Sequence, residues 1–554
     1  MYLRTTKRKN KDGSVVEYYQ LAHNKRHPET GKPVANIIHS FGRTDELDRD
    51  HLVRLCRSVA RVCGLKVTDP IAGDNDSSSD LSGFPEDLKL IGTQTLGTPL
   101  VIEALWERLG IGQIFRDICK SKKLKVPYER AIFAMVANRL TDPDSKLGLW
   151  ERWLSKVYIP SCRSLKLEQL YESMDLFYDH MSEVEQQIFF QTANLLNLEV
   201  DLVFYDTTTA SFSIDYEDSF RAFGHSKEGT WSPQVVVALA VTREGLPVRS
   251  WVFPGNTSDA ATIKKIRDDL RGWKLGRALF VADSGMNSIE NKKELSKACG
   301  KYLLASRMAS VSEIRDTVLS KRGRYTVISD NLHAKEVIAA GDGERRRRYI
   351  LCYNPTEAKR QKKHREEVVA FLEMELDKHQ SRKATARWAI DLLASKRHKR
   401  YLTITKSGNI RIDRNKVKES EKYDGKWVIE TNDDTITLED AACGYKGLMV
   451  IERCFRSMKR TQIKMCPMYH WVPRRIEAHV KLCVLSLLIE RIAEIECNDT
   501  WSRIQHNLEG LQVSEFRTNS HKFFRRNEIT PNVRNLLNKL KIPTPSLAFE
   551  LEKL

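Results

Sequence analysis

The sequence has no close cysteine pairs. Its 11 cysteines are scattered, with no Cys-x-x-Cys among them, so neither a zinc ribbon nor a disulfide framework is indicated, and a reducing cytoplasm suits them. It also lacks a membrane-length apolar run. Leu482-Cys-Val-Leu-Ser-Leu-Leu-Ile489 is far short of the roughly 20 residues that cross a bilayer. The segment Met1-Tyr-Leu-Arg-Thr-Thr-Lys-Arg-Lys9 has no apolar h-region of a signal peptide. Acidic residues are in the minority, 73 against 91 Lys and Arg, for a net charge of +18 and a pI near 9.3. That imbalance predicts affinity for a polyanion, with DNA the obvious candidate and binding strongly salt-dependent. The runs Arg345–Arg348, Lys359–Arg365 and Lys396–Arg400 supply much of the charge. Each also reads as a solvated face. At 554 residues the chain is too large for one hydrophobic core, and several domains are expected.

What is present is a set of three carboxylates in distinctive places. Asp206 ends the run Val200-Asp-Leu-Val-Phe-Tyr-Asp206 and precedes three threonines. Asp283 ends Ala278-Leu-Phe-Val-Ala-Asp283. Glu452 lies on a later helix. The two runs read as buried strands. An acid ending a buried strand is costly unless its charge is offset. Hard divalent cations do this with oxygen ligands, and Mg²⁺ takes a few carboxylates plus substrate phosphates. Two such ions can activate a nucleophile and stabilise a leaving oxygen in phosphodiester chemistry. Taken singly, each aspartate reads more simply as an N-cap or turn residue after a strand, since an Asp at a strand end is common.

The surrounding elements narrow this. Gln234–Thr242, a turn at Arg243-Glu-Gly245 and Leu246–Phe253 read as a β-hairpin. Ala260–Leu270 reads as a helix with Asp259 as N-cap. The Asp283 strand follows, then a helix over about 287–299 and the strand Lys301–Ala305. Three antiparallel strands, a helix, a parallel strand, a helix and a further strand form the ribonuclease-H-like order. One acid then lies on the first strand and another at the end of the fourth.

The third acid stands in Tyr445-Lys-Gly-Leu-Met-Val-Ile-Glu452-Arg-Cys-Phe-Arg456-Ser-Met-Lys459. Here the chain resembles the DDE transposases of bacterial and archaeal insertion sequences, in particular the group marked by Tyr, two residues, Arg, three residues, Glu, six residues, Lys. Tyr445, Glu452 and Lys459 match. Leu448 occupies the Arg position, so that DNA contact is absent or falls to Arg453 or Arg456. Residues seven apart share nearly one helical face, since two turns take 7.2 residues. Glu–Arg pairs four apart are equally the mark of an ordinary charged helix surface. Gly224-His-Ser-Lys227, Pro254–Thr262 and Pro467-Met-Tyr-His470 also resemble the family. Asn256 and Thr257 read as phosphate-orienting residues or as a turn after the third strand, the turn being the simpler reading.

The expected fold is α/β: a ribonuclease-H-like core with a mixed five-stranded sheet, interrupted by a mixed, partly β insertion and preceded by a helical domain. Residues 1–70 form a small β-rich appendage, with strands near Val15–Leu21 and Val34–His39 and a helix over about 46–63. Residues 71–84, containing Asp74–Asp80, form a linker. Residues 85–197 are helical, either a DNA-binding region or a structural layer, with one helix opening at Thr98-Pro99 and closing at Gly110, and another opening at Ser182 through a capping box with Glu185. Residues 198–306 hold the first part of the core, 307–440 the insertion, 441–500 the last core helices, and 501–554 a helical tail. Trp388 and Trp427 in the insertion are candidates for stacking on an unpaired base, or else buried aromatics.

The resemblance implies a transposase that cleaves element ends and transfers strands into target DNA. Asp206, Asp283 and Glu452 would be both catalytic and metal-binding. Tyr445, Arg453, Arg456 and Lys459 would hold DNA, and two Mg²⁺ ions, replaceable by Mn²⁺, would serve as cofactor. The implied partners are element terminal inverted repeats and target DNA, bound by a homodimer in the cytoplasm, at the nucleoid. Two alternatives remain open: a ribonuclease-H-like nuclease that cuts without joining, and a non-enzymatic DNA-binding derivative of a transposase.

Overall fold

The structure, a computed structural model, describes residues 2–9, 15–26, 33–43, 59 and 87–554, apart from 199, 213–215, 225, 227–228, 230, 276–277, 298–299, 340–346 and 380. The chain divides into two compact units, Met1–Pro85 and Glu86–Leu554. In the first, β1 (Tyr2–Lys9), β2 (Val15–Arg26) and β3 (Pro33–Arg43) make an antiparallel sheet in that order. The linker Asp74–Asp80 and all but one residue of the expected helix over 46–63 lie outside the described residues.

The second unit opens with β4 (Lys89–Thr95) and helices Gly97–Arg108, Ile111–Ser121, Tyr128–Thr141 and Leu167–Leu195. Gly110 adopts φ +68° and ends the first of these, a conformation that favours glycine. Trp106, Phe115, Phe133 and Phe177 pack in one core with Leu482, Leu485 and Ile489 of the long helix Pro473–Cys497. No helix starts at Ser182, which lies inside Leu167–Leu195. The Glu185 carboxylate is buried, pairs with Lys481 at 2.7 Å and accepts from Ser250 Oγ at 2.6 Å. Tertiary pairing has claimed the residue that local sequence offered as a cap.

The catalytic-region strands are β5 (Leu202–Ser211), β6 (Ala222–Phe223), β7 (Pro233–Val241), β8 (Pro247–Pro254), β9 (Leu279–Ala282) and β10 (Tyr302–Ser306). β7 pairs antiparallel with both β8 and β5, while β9 lies parallel to β5 and β10 parallel to β9. The order β8-β7-β5-β9-β10 follows. Helix Asp259–Gly272 links β8 to β9, with Ser258 rather than Asp259 at its N-cap. Its Ile263, Ile266 and Leu270 pack on one sheet face with Tyr205, Trp251 and Phe280.

The expected five-stranded sheet is larger. β11 (Thr326–Ser329), β12 (Leu332–Ala339), β13 (Arg347–Tyr353) and, after the hairpin β14 (Leu402–Ile404) and β15 (Ile410–Ile412), β16 (Lys426–Thr431) come from the insertion. β16 pairs antiparallel with both β10 and β13, so the insertion continues the sheet to 10 strands among the described residues. The physical reason is β10 itself. As a fully buried strand ending a five-stranded sheet it would expose unpaired backbone groups, and β16 satisfies them. The insertion's long helix stops at Lys378 and resumes at Arg387–Ala394.

The tail is not purely helical. Helices Trp501–Glu509 and Pro531–Lys539 alternate with β17 (Gln512–Arg517), β18 (His521–Arg526) and β19 (Ala548–Lys553), and the sheet order is β19-β18-β17-β4. Pairing with β4, more than 400 residues earlier, supplies a partner that no local pattern reveals. Among the described residues, no helix is long and apolar enough to cross a membrane.

Candidate active site

Side chains alternate along β5. Phe204 joins the core beneath the Glu452 helix, whereas Tyr205 joins the core beneath helix Asp259–Gly272. Asp206 and Thr208 therefore share the face of Phe204. The parallel register pairs Tyr205 with Ala282, so Asp206 and Asp283 are the next residues along two adjacent strands, which lie about 4.8 Å apart. Asp206 Oδ1 accepts from the Thr207 amide at 2.7 Å. Asp283 caps the short turn Ser284–Met286, its Oδ1 accepting from the Ser284 amide at 2.6 Å. The turn reading thus describes the local geometry of Asp283, and the carboxylate still reaches further.

That reach is to Tyr445. Burial, then the neighbouring charge of Asp283 and, beyond it, those of Glu452 and Asp206, pushes the Tyr445 phenol well above its ordinary pKa. One half-buried side chain thus feels all three carboxylates, and the structure brings Asp206, Asp283 and Glu452 around it.

The Tyr445-to-Lys459 segment is not one straight helix. Helix Leu438–Lys446 tightens at Gly447-Leu448, where the Val450 amide donates to Gly447 O at 2.8 Å and the Ile451 amide to Leu448 O at 3.2 Å. Helix Met449–Arg456 follows, then a π-helical turn over Ser457–Thr461. Glycine at 447 is a packing requirement. A Cβ there would stand 2.6 Å from Phe204 Cζ, so only glycine lets the segment lie this close to β5. Gly245, at φ +83°, turns the hairpin beneath the same helix, and Cys454 Sγ donates to its carbonyl at 3.6 Å. Lys459 Nζ reaches Thr208 Oγ1 at 3.3 Å, two residues beyond Asp206. Leu448 packs against the core.

Arg453 and Arg456 lie elsewhere. With Ser457, Glu490, Arg491 and Glu494 they line a cavity of about 620 Å³ beside helix Pro473–Cys497. Ser457 donates to both Glu490 oxygens at 2.7 and 2.6 Å, and burial pushes the Glu490 carboxyl up to about 7. In the Pro467–His470 segment, Tyr469 is exposed. His470 turns toward His479, with ring centroids 5.2 Å apart, and burial beside Lys146 and Arg139 pushes it down to about 3. Of Gly224–Lys227, His225 and Lys227 lie outside the described residues. Asn256 and Thr257 form a turn, the Thr257 amide donating to Pro254 O at 3.0 Å.

The basic runs are partly spoken for, which corrects their reading as free charge. Arg345 and Arg346 lie outside the described residues. Arg347 pairs with Glu313 at 2.6 Å, and the buried Arg348 pairs with Glu336 at 2.5 Å and donates to Asp433 O. Arg365 makes a two-pronged pair with Asp424 at 2.6 and 2.7 Å. Trp388 stacks on His379, centroids 4.3 Å apart, and Trp427 packs against the sheet core.

Among the described residues, no three His, Cys, Asp or Glu side chains close into a cage for a metal ion. Mg²⁺ does not require one, because it keeps several waters and uses one or two carboxylates with substrate phosphates. Asp206 stands in the middle of β5, which runs on to Ser211, and not at a strand end, whereas Asp283 directly follows β9. These oxygen donors on adjacent strands, with Asp283 and Glu452 exposed, fit a hard cation held in an open site.

A model of the transposase DDE domain matches residues 201–487, and a model of the IS1634 family transposase N-terminal domain matches residues 3–69. The chain belongs to the DDE transposases. It is a DNA transposase, an enzyme of a family whose domains work with divalent metal ions and which acts on DNA. No curated protein matches it. Among solved structures, a piggyBac transposase synaptic complex with hairpin DNA is similar at 10% identity and a TM-score of 0.34, over 74% of this chain and 77% of that one, a likeness too low to define a fold.

The sequence reading misses Gly447, which carries the close approach of helix to strand; a Gly five residues before a candidate catalytic Glu is the available signal.

Proposed function

We propose that Asp206, Asp283 and Glu452 are the catalytic carboxylates of a ribonuclease-H-like core, and that they hold two Mg²⁺ ions, replaceable by Mn²⁺. The strand order β8-β7-β5-β9-β10 and the parallel pairing of β9 on β5 support that core. When bound, such ions lower the cost of deprotonating water or a 3′-hydroxyl and neutralise the leaving oxygen during in-line attack on phosphorus. The protein's own part is placement. Tyr445, next to the Asp283 carboxylate, helps to orient it. Lys459, beside Thr208, holds a phosphate near Asp206. Arg453 and Arg456 contact the DNA backbone further along the same helix. One site of this kind nicks an element end and then joins it to target DNA. The enzyme acts as a homodimer on terminal inverted repeats, in the cytoplasm. Residues 85–197 and the insertion over 307–440 flank the bound end.

The observation that carries this reading is the parallel register that sets Asp206 and Asp283 side by side on adjacent strands, with the Glu452 helix packed on the same strand. It is tested with DNA flanking this chain's own coding sequence. Asp206→Asn and Glu452→Gln keep side-chain shape and remove charge, so both bind end DNA normally and neither cleaves it. Cleavage at the normal rate by either variant defeats the assignment. Strand transfer by the wild type in Mg²⁺ separates a transposase from a nuclease that only cuts.

A further inference from the structure

A fourth carboxylate stands behind the three. Asp259 opens the helix that follows β8, and its Oδ1 accepts the hydroxyl hydrogen of Thr207 at 2.5 Å. Thr207 is buried on the face of β5 opposite Asp206, and its amide is the donor to Asp206 Oδ1 at 2.7 Å. The other Asp259 oxygen faces the Asp283 turn, where a Cβ at Gly285 would meet it at 3.4 Å. Asp259 is itself anchored. Its carbonyl accepts from Thr262 Oγ1 at 2.6 Å, and that hydroxyl shares a hydrogen bond of 2.7 Å with the fully buried Tyr205. A single carboxylate therefore touches the stretch of β5 bearing Asp206 on one side and lies against the turn bearing Asp283 on the other.

We infer that Asp259 is a positioning residue for the metal site, a brace that sets the separation of Asp206 and Asp283 from the back of the sheet. The inference rests on the assignment of those two aspartates as metal ligands. Its physical basis is that ligand carboxylates must be held in place to keep their affinity. Loss of a group that orients a ligand costs about 10–100-fold in metal affinity or activity. Thr207 transmits the constraint, because its hydroxyl is fixed by Asp259 while its amide fixes Asp206. An acid in the first helical turn also interacts favourably with the helix dipole. That role affects stability alone and does not involve the Thr207 hydroxyl.

The test uses the full chain and two readouts: the Mn²⁺ concentration giving half-maximal cleavage of flanking DNA, and the Mn²⁺ concentration giving half of the metal-induced rise in Tm without DNA. Asp259→Ala and Thr207→Val are each expected to raise both concentrations about tenfold or more, with end-DNA binding in the absence of metal unchanged. Thr207→Ser keeps the hydroxyl and recovers the wild-type metal requirement. Because Asp259→Ala can fail to fold, the Thr207 pair decides the matter alone. An unchanged Mn²⁺ requirement in Thr207→Val, or no recovery in Thr207→Ser, overturns the brace, and so does a loss of Tm with no change in metal requirement. Asp206→Asn run in parallel separates the two levels. If it still cleaves, the underlying site is wrong, whereas if it is inactive and Thr207→Val behaves as wild type, only the brace falls.

Discussion

Lys459 Nζ donates to Thr208 Oγ1 at 3.3 Å, joining the π-helical turn beyond Glu452 to the strand that carries Asp206. The contact places an ammonium beside the middle of β5, two residues past Asp206, where a phosphate drawn to the aspartates would arrive. A hydroxyl–ammonium contact of this length contributes about 1 kcal/mol or less to stability. Lys459→Ala is therefore expected to keep its Tm within a few degrees while losing about a hundredfold in cleavage rate, as misplacement of the reacting phosphate by an ångström does. Parallel thermal melts and single-turnover cleavage check this. A variant that cleaves at the wild-type rate removes Lys459 from the DNA path.

Gly447→Ala tests the packing of the Glu452 helix on β5. The added methyl would lie 2.6 Å from Phe204 Cζ and 3.1 Å from Gly444 O, against a ring that is only 1% exposed. Overpacking of this kind costs about 1–3 kcal/mol. The variant is expected to unfold at lower urea and to cleave more slowly, because relief of the clash moves the Glu452 helix off the sheet. Unchanged stability would mean that the approach is looser than it stands here.

Leu448 occupies the position where the family signature has Arg. It is half-buried against the core beside Val450 and Tyr445. An Arg there can lay its stem over the apolar surface and extend its charge to solvent. Leu448→Arg should fold, lose about 1 kcal/mol from poorer packing, and retain cleavage. Denaturant titration and a cleavage assay read both effects. Loss of more than several kcal/mol would show that the charge is trapped.

Glu490 makes stability fall with rising pH. Burial raises its folded-state pKa from 4.5 to about 7, so the folded protein holds a proton that the unfolded chain releases between those values. Its contribution is undiminished below pH 4.5 and is lost as pH rises through 7. Glu490→Gln still accepts from Ser457 and carries no charge. Relative to wild type it should gain up to roughly 3 kcal/mol above pH 7 and nothing below pH 4.5. Urea unfolding across that range measures the difference, and parallel curves for the two proteins would refute the linkage.

The core strands were legible because each is a continuous apolar run. Leu202–Ser211, Pro233–Val241 and Leu279–Ala282 lie where hydropathy put them. Each of the two aspartates closes such a run, and the parallel register of β5 and β9 sets them on adjacent strands. The tail was misread because β17 pairs with β4 across more than 400 residues, and a strand partner that distant leaves no mark in local periodicity. The Ser182 box failed because Lys481 and Ser250, both remote, made better use of Glu185.

The sequence by itself determined the family and the succession of the core strands along the chain, since buried runs, turn residues and the Tyr–Glu–Lys spacing are local properties. Only the tertiary structure decided that Tyr445 comes next to Asp283, that Asp259 accepts from Thr207 behind the sheet, and that Arg348 and Arg365 are neutralised within the insertion. Each of these is a choice among distant partners. It is made by which side chains the packed sheet and helices bring within hydrogen-bond range, and a buried charge takes the nearest partner that offsets its desolvation.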